Sequence, residues 1–408
     1  MFTLSAYLPA VSSAFDPPSR LSRSLGLRSA VVIGVSAMVG TGVFAVWQPA
    51  LQRAGGLLVA AVIVAATVAA LNATSTARLA ARNPEAGGVY AYGRIHLNRF
   101  AGVLAGVVFI IGKTASASAA ALTIGLYVWP ERSRVVALVA IGLVLALNLR
   151  GIVRSTRVAL VMVVAVLAVL VGFVVGSGFG LTEGGTFSSE PLVEATPVSM
   201  LAASGLVFVA FAGYARITVL GEEVMKPRRT IPQAIMWSFG LVLMIYLLVA
   251  VIVVLAAERG VAIGPAALND IAGALLPGWT VPVLVVAAAL AAGAVLLSLI
   301  AGVGRTLFAM ADRGDAPRIF AAVGRSSRIP YRAEIAAAVG TALLVTVGGL
   351  TLALAISGSM ILTYYAIGHL SALRLPRDGA IGTVVGRAVP VAGLLGCAAL
   401  VLALVVAG

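Results

Sequence analysis

Gly34-Val35-Ser36-Ala37-Met38-Val39-Gly40-Thr41-Gly42-Val43-Phe44 sits at the centre of an uncharged apolar block covering about residues 29–48. A block of that length crosses a bilayer as a helix, because lipid offers backbone N–H and C=O groups no other partner. Three glycines and the hydroxyl of Thr41 weaken the helix at its middle. Two readings follow. The segment is unwound, and the free N–H groups at the start of its second half are placed to hold a carboxylate. Alternatively, the small residues let a neighbouring helix pack closely.

The rest of the chain repeats the apolar pattern. Of 408 residues, 61% are hydrophobic and only 10% charged, and the mean hydropathy is +1.10. A soluble domain of this size carries far more charge. Eleven apolar spans are predicted, at about 29–48, 55–77, 101–128, 133–149, 157–176, 199–220, 234–256, 280–304, 334–348, 350–370 and 389–407. The ninth and tenth form one apolar stretch divided by Gly348-Gly349 and flanked by Arg-rich loops, which predicts a tight helical hairpin. The short alternating segments of an outer-membrane barrel are absent.

The net charge of +14 is a topology signal. With the N-terminus inside, 22 of the 28 Lys and Arg fall in the tail and the loops on the same side, where anionic lipid headgroups attract them. This predicts a multi-pass protein of the plasma or inner membrane with a cytoplasmic N-terminus. No basic helix or aromatic platform points to nucleic acid. Cys397 stands alone, and His96 and His369 are far apart, so neither a metal site nor a cofactor is expected. No nucleophile–histidine set, catalytic carboxylate pair or phosphate loop indicates an enzyme.

The sixth span has its own interruption, in Phe208-Val209-Ala210-Phe211-Ala212-Gly213-Tyr214-Ala215-Arg216. Interruptions at matching places in two halves mark the binding site of a transporter built from inverted repeats. Spans 1–5 and 6–10 would be those repeats, since an odd number of spans reverses orientation. The expected organisation is a cytoplasmic tail (1–26), a first five-helix repeat (27–176), a second (177–371), and a loop plus an additional C-terminal helix (372–408).

Four blocks, in order, resemble the amino acid–polyamine–organocation superfamily of permeases, which share the leucine-transporter fold. They are Gly40 to Phe44; Ala81-Arg82-Asn83-Pro84-Glu85-Ala86-Gly87-Gly88-Val89-Tyr90-Ala91-Tyr92; Glu222-Glu223-Val224-Met225-Lys226-Pro227-Arg228-Arg229-Thr230-Ile231-Pro232-Gln233-Ala234; and Arg305 to Pro317. The resemblance implies an all-α bundle with broken helices 1 and 6, and a midplane site between spans 1, 3, 6, 8 and 10. It further implies that Thr41, Gly42 and Val43 meet a substrate carboxylate. The backbone around Met38, Val209 and Ala212 would meet its ammonium, and Phe211 would lie near the gate or the site.

Two cations depart from the pattern, Lys113 in span 3 and Arg216 in span 6. A charge at that depth costs roughly 2.5–3.5 kcal/mol on insertion scales, which marks such residues as functional. Lys113 is read as a proton carrier, as a holder of a substrate carboxylate, or as a lysine tied to backbone carbonyls. Arg216 keeps its proton; it pairs with Glu222 or Glu223 in a gate, or snorkels from a helix end. Both charges disfavour a cationic substrate. Span 8 offers Thr280 and Ser298 and little else for a hard cation. Proton coupling or exchange is therefore expected over sodium. The expectation is a permease for a neutral or acidic amino acid. The rivals are a polyamine or organic-cation transporter, a nontransporting sensor or subunit on the same fold, and, more weakly, an ion channel.

Overall fold

A computed structural model describes residues 26–82, 87–151, 156–183, 192–218, 224–225, 227–324, 329–375 and 384–407, and there every regular element is helical. The first membrane stretch comes in three pieces, α1 (Leu27–Met38), α2 (Gly42–Ala45) and α3 (Trp47–Ala54). Then follow α4 (Leu58–Arg82), a short α5 (Gly88–His96), α6 (Arg99–Val128), α7 (Ser133–Leu149) and α8 (Thr156–Glu183). A second interrupted stretch contains α9 (Pro197–Phe211), a 3₁₀ turn (Ala212–Tyr214) and α10 (Ala215–Thr218). The remaining helices are α11 (Pro227–Glu258), α12 (Ala267–Leu275), α13 (Thr280–Asp312), α14 (Tyr331–Val347), α15 (Leu350–Leu373) and α16 (Val384–Val406).

Ten helical stretches among the described residues are long and apolar enough to cross a membrane. The ninth span read from the sequence is α14, which at 17 residues is shorter than these. Gly348 and Gly349 are extended and separate α14 from α15, so this apolar stretch is two helices, with α14 packed on α13, α6 and α7 and α15 on α6 and α16.

Local chemistry sets the helix starts. Asn98 caps α6 by accepting from Ala101 N. Thr196 and Ser199 form a reciprocal capping box at α9. The outward faces carry large apolar side chains, among them Leu143, Phe179, Leu395 and Val405. That distribution suits contact with lipid and explains a composition no soluble protein would tolerate. Without a hydrophobic force between helices in lipid, close packing falls to small residues. On α6, which packs against α13 and α15, a Cβ on Gly112 would stand 2.9 Å from Met360 Cβ.

Candidate substrate site at the crossing of two interrupted helices

α1 stops at Met38, and the chain restarts as helix at Gly42. Phe44 N and Ala45 N both donate to Thr41 O, which begins the new turn. The N–H groups ahead of that turn have no acceptor within it. Carbonyls left free at the end of α1 and at the α2–α3 junction are capped by aromatic side chains. Tyr246 Oη on α11 donates to Met38 O at 2.8 Å. Trp47 Nε1 donates to Val43 O at 2.6 Å, and Tyr127 Oη on α6 donates to Phe44 O at 3.1 Å. The hydroxyl of Thr41 is treated differently: the residue is 8% exposed, and its Oγ1 is buried with no hydrogen-bond partner.

The second interruption lies directly against the first. A Cβ on Gly213 would stand 2.6 Å from Met38 N, with the carbonyl of Ala37 closer still. A Cβ on Gly42 would stand 2.5 Å from Ala210 Cα. A Cβ on Gly34 would meet Ile217 and Ser238. Residues rising along the first stretch thus face residues falling along the second, so the two broken helices run antiparallel and touch backbone to backbone. Both sequence readings of the glycines hold together: the segment is unwound, and it is also a close crossing.

Met38, Thr41, Gly42, Val43 and Ala212 are buried at this crossing, and Val209 is half-buried on the last turn of α9. Phe211 is fully buried, with its ring 5.3 Å from Phe239 and 5.0 Å from Tyr246, so it braces α9 on α11. Lys113 lies at the midpoint of the 30-residue α6. Its ammonium sits 5.9 Å from the ring of Phe109, which itself packs on Tyr364 of α15. Arg216 is exposed and donates from Nη1 to Ser298 Oγ of α13 at 2.7 Å. Glu222 and Glu223, its partners expected from the sequence, lie outside the described residues.

Sequence reasoning missed the aromatic caps and a second polar centre. Asp315, just after α13, has a fully buried side chain. It accepts from Tyr90 Oη at 2.7 Å, from Arg94, and from both Nε and Nη2 of Arg99 at 3.1 and 2.9 Å. Burial pushes its pKa up, but the hydrogen bonds from Tyr90, Arg99 and Arg94 and the charge of Arg94 outweigh that, holding it below the usual value. Two blocks that carry the family resemblance, one holding Tyr90 and the other ending at Pro317, therefore meet at a single carboxylate. The signal available in the sequence was an acidic residue among arginines at a helix end.

Interrupted, crossing helices with a buried unpartnered hydroxyl, set in a many-helix membrane bundle, define a transporter-type protein. The chain belongs to the amino acid permease family, whose family model matches residues 25–408. It is 44% identical to an uncharacterized transporter of Mycobacterium tuberculosis over 95% of this chain and 88% of that protein. It is 26% identical to the vacuolar cationic amino acid transporter 4 of Arabidopsis thaliana, over 89% of this chain and 65% of that protein. With the branched-chain amino acid permease BcaP of Bacillus subtilis it shares 24% identity, over 76% of this chain and 72% of the permease.

Proposed function

We propose that the protein is a secondary active transporter that moves a neutral or acidic amino acid by alternating access, coupled to protons or by exchange. The observation that carries this is the crossing of the two breaks. It sets free peptide N–H groups against the second broken helix, and it leaves the Thr41 hydroxyl buried without a partner. An unpartnered buried hydroxyl costs roughly 1–3 kcal/mol, a cost that a bound carboxylate removes. The N–H groups of Thr41, Gly42 and Val43 and the Thr41 hydroxyl would hold that carboxylate. The carbonyls around Met38, Val209 and Ala212 would take the ammonium.

The working unit is taken as two inverted five-helix repeats, 27–176 and 177–371, with 372–408 appended. The protein would sit in the plasma or inner membrane with its N-terminus in the cytoplasm. Lys113 favours a neutral or acidic cargo, because it adds positive charge at the middle of α6. Ser298, one of the few oxygens on the eighth span, already accepts from Arg216, which favours protons over sodium. A second reading, a cationic cargo, draws support from the Arabidopsis relative's name. A thermal-shift screen of the twenty amino acids on purified protein separates the two. Stabilisation by neutral or acidic amino acids and not by arginine or lysine is the expected result. Stabilisation by arginine or lysine alone would favour the second reading. Uptake into liposomes of whichever amino acid stabilises then tests transport, and none with or without a pH gradient refutes it.

A further inference from the structure

Away from the crossing, α4, α15 and α16 close around a histidine. His369 is 1% exposed. Its Nε2 lies 2.7 Å from Asn72 Oδ1 and its Nδ1 2.9 Å from Ser75 Oγ, both on α4. Cys397 Sγ on α16 also donates to Asn72 Oδ1, at 3.3 Å. The ring fills a notch that only glycine leaves: a Cβ on Gly393 of α16 would stand 2.9 Å from Nδ1 and nearer the other ring atoms.

The donors and acceptors constrain the tautomer. Asn72 Oδ1 accepts from both neighbours, so Nε2 carries the hydrogen, while the Ser75 hydroxyl can donate to Nδ1 or accept from it. With Ser75 donating, the imidazole is neutral and both ring nitrogens are paired. A proton added at Nδ1 forms an N–H bond there and turns the Ser75 hydroxyl from donor to acceptor. Among the described residues no acidic side chain balances the charge so created. The surrounding groups are Asn72 and Ser75 from α4, Cys397 from α16, and Tyr365 one turn earlier on α15. Beyond Tyr365 stands Tyr214 of the second interruption, and Val89 and Tyr92 of α5 lie on the Tyr364 side. The cation next along α4, Arg78, has its guanidinium on Gly386 O of α16 at 2.6 Å, and it would repel an imidazolium. An unbalanced buried charge is strongly destabilising, so a charged His369 disfavours this packing.

The histidine also connects to the crossing. Tyr365 packs on Tyr214 at 5.6 Å and on Phe208 of α9 at 6.2 Å. We propose that His369 is the proton-binding group of the transport cycle, and that protonation at Nδ1 is linked to separation of α15 from α4 and α16. This rests on the proton-coupled reading given above.

Cys397 is the chain's single cysteine, is buried, and reports on that junction. Its maleimide labelling rate in the folded protein is measured between pH 8 and pH 5.5 and divided by the rate in the denatured protein at each pH. The normalised rate should rise at least tenfold on acidification in the wild type and stay flat in His369→Gln. An equal rise in both, or no rise in either, overturns the proposal. Ser75→Ala keeps the imidazole but removes the oxygen that the new N–H would use. Its midpoint should move to lower pH, and an unmoved midpoint also counts against the idea. In liposomes, His369→Gln should lose accumulation driven by a proton gradient. A wild type indifferent to the gradient overturns the proton-coupled reading and this inference with it. A gradient-driven wild type matched by His369→Gln overturns the inference alone.

Discussion

Gly213→Ala adds one methyl group at the tightest point of the crossing. That carbon would stand 2.6 Å from Met38 N and closer to the Ala37 carbonyl, whereas ordinary van der Waals contact begins near 3.4 Å. The obstructing atoms are backbone at the end of α1, so no side-chain rotation relieves them. The two helices must part by roughly 0.8 Å at the first contact and by more at the second. Overpacking of this kind costs about 1–3 kcal/mol, or roughly 5- to 150-fold in the equilibrium that assembles the crossing. Gly240→Ala on α11 is the control: nothing lies within 4 Å of its added carbon, and alanine is the better helix former by about 0.8–1.0 kcal/mol. Both variants should insert into membranes. Gly213→Ala should lower the thermal midpoint of the purified protein and reduce amino acid uptake in liposomes at least fivefold, while Gly240→Ala leaves both unchanged or improved. Wild-type uptake by Gly213→Ala would refute the reasoning, because the site would then not need the backbones in contact.

Thr41→Val removes a buried hydroxyl that has no internal partner. The thermal midpoint without substrate should hold or rise, and amino acid affinity should fall by about 5- to 30-fold, for a hydrogen bond worth about 1–2 kcal/mol. Isothermal titration beside a melting curve reads both. Asp315→Asn should lower the thermal midpoint at neutral pH by about 1–3 kcal/mol of stability, less than for a wholly buried pair because Arg99 is 69% exposed. The carboxylate's pKa lies below its ordinary value, so its contribution is complete above pH 4 or so and is lost as pH falls through that lowered value. Melting curves from pH 8 to pH 4 should therefore keep a constant gap between wild type and Asp315→Asn, closing only in stronger acid. Lys113→Met should weaken competition by glutamate and strengthen competition by arginine in uptake assays. An unchanged competition profile would make Lys113 structural.

The break in the first stretch was legible because Gly40, Thr41 and Gly42 stand in a block otherwise rich in valine and alanine, where their effect on the helix is local. The division at Gly348-Gly349 was legible because paired glycines interrupt an apolar stretch too long for one crossing. What caps the break was not. Tyr246 is separated from Met38 by some two hundred residues, and nothing in a helix-period pattern says which tyrosine faces which carbonyl. Arg216 shows the same limit. Its sequence neighbours offered Glu222 and Glu223, which lie outside the described residues, and nothing in the sequence pointed to its bond with Ser298 across a helix interface, a pairing set by helix register. Asp315 sat in a quoted block without standing out, because its meaning lies in the distant Tyr90, Arg94 and Arg99 that converge on it. His369 carried no pattern, since its partners come from two other helices.

The caps also say how the site can move. A broken helix in a membrane loses hydrogen bonds that water cannot replace. Aromatic donors offset that loss at Met38, Val43 and Phe44, so the protein's own side chains hold the break. The caps differ in where they are anchored. Trp47 travels with the first stretch itself, Tyr246 belongs to α11, and Tyr127 belongs to α6. The first and second interruptions are joined backbone to backbone, and Tyr246 holds that pair from α11. A motion carrying the crossing away from α6 would keep the Tyr246 and Trp47 bonds and give up the Tyr127 bond to Phe44. That motion would also part the Phe44 and Tyr127 rings, which pack edge to face at 5.6 Å. Under the alternating access proposed above, the crossing would rock as one piece while the site inside it stays assembled.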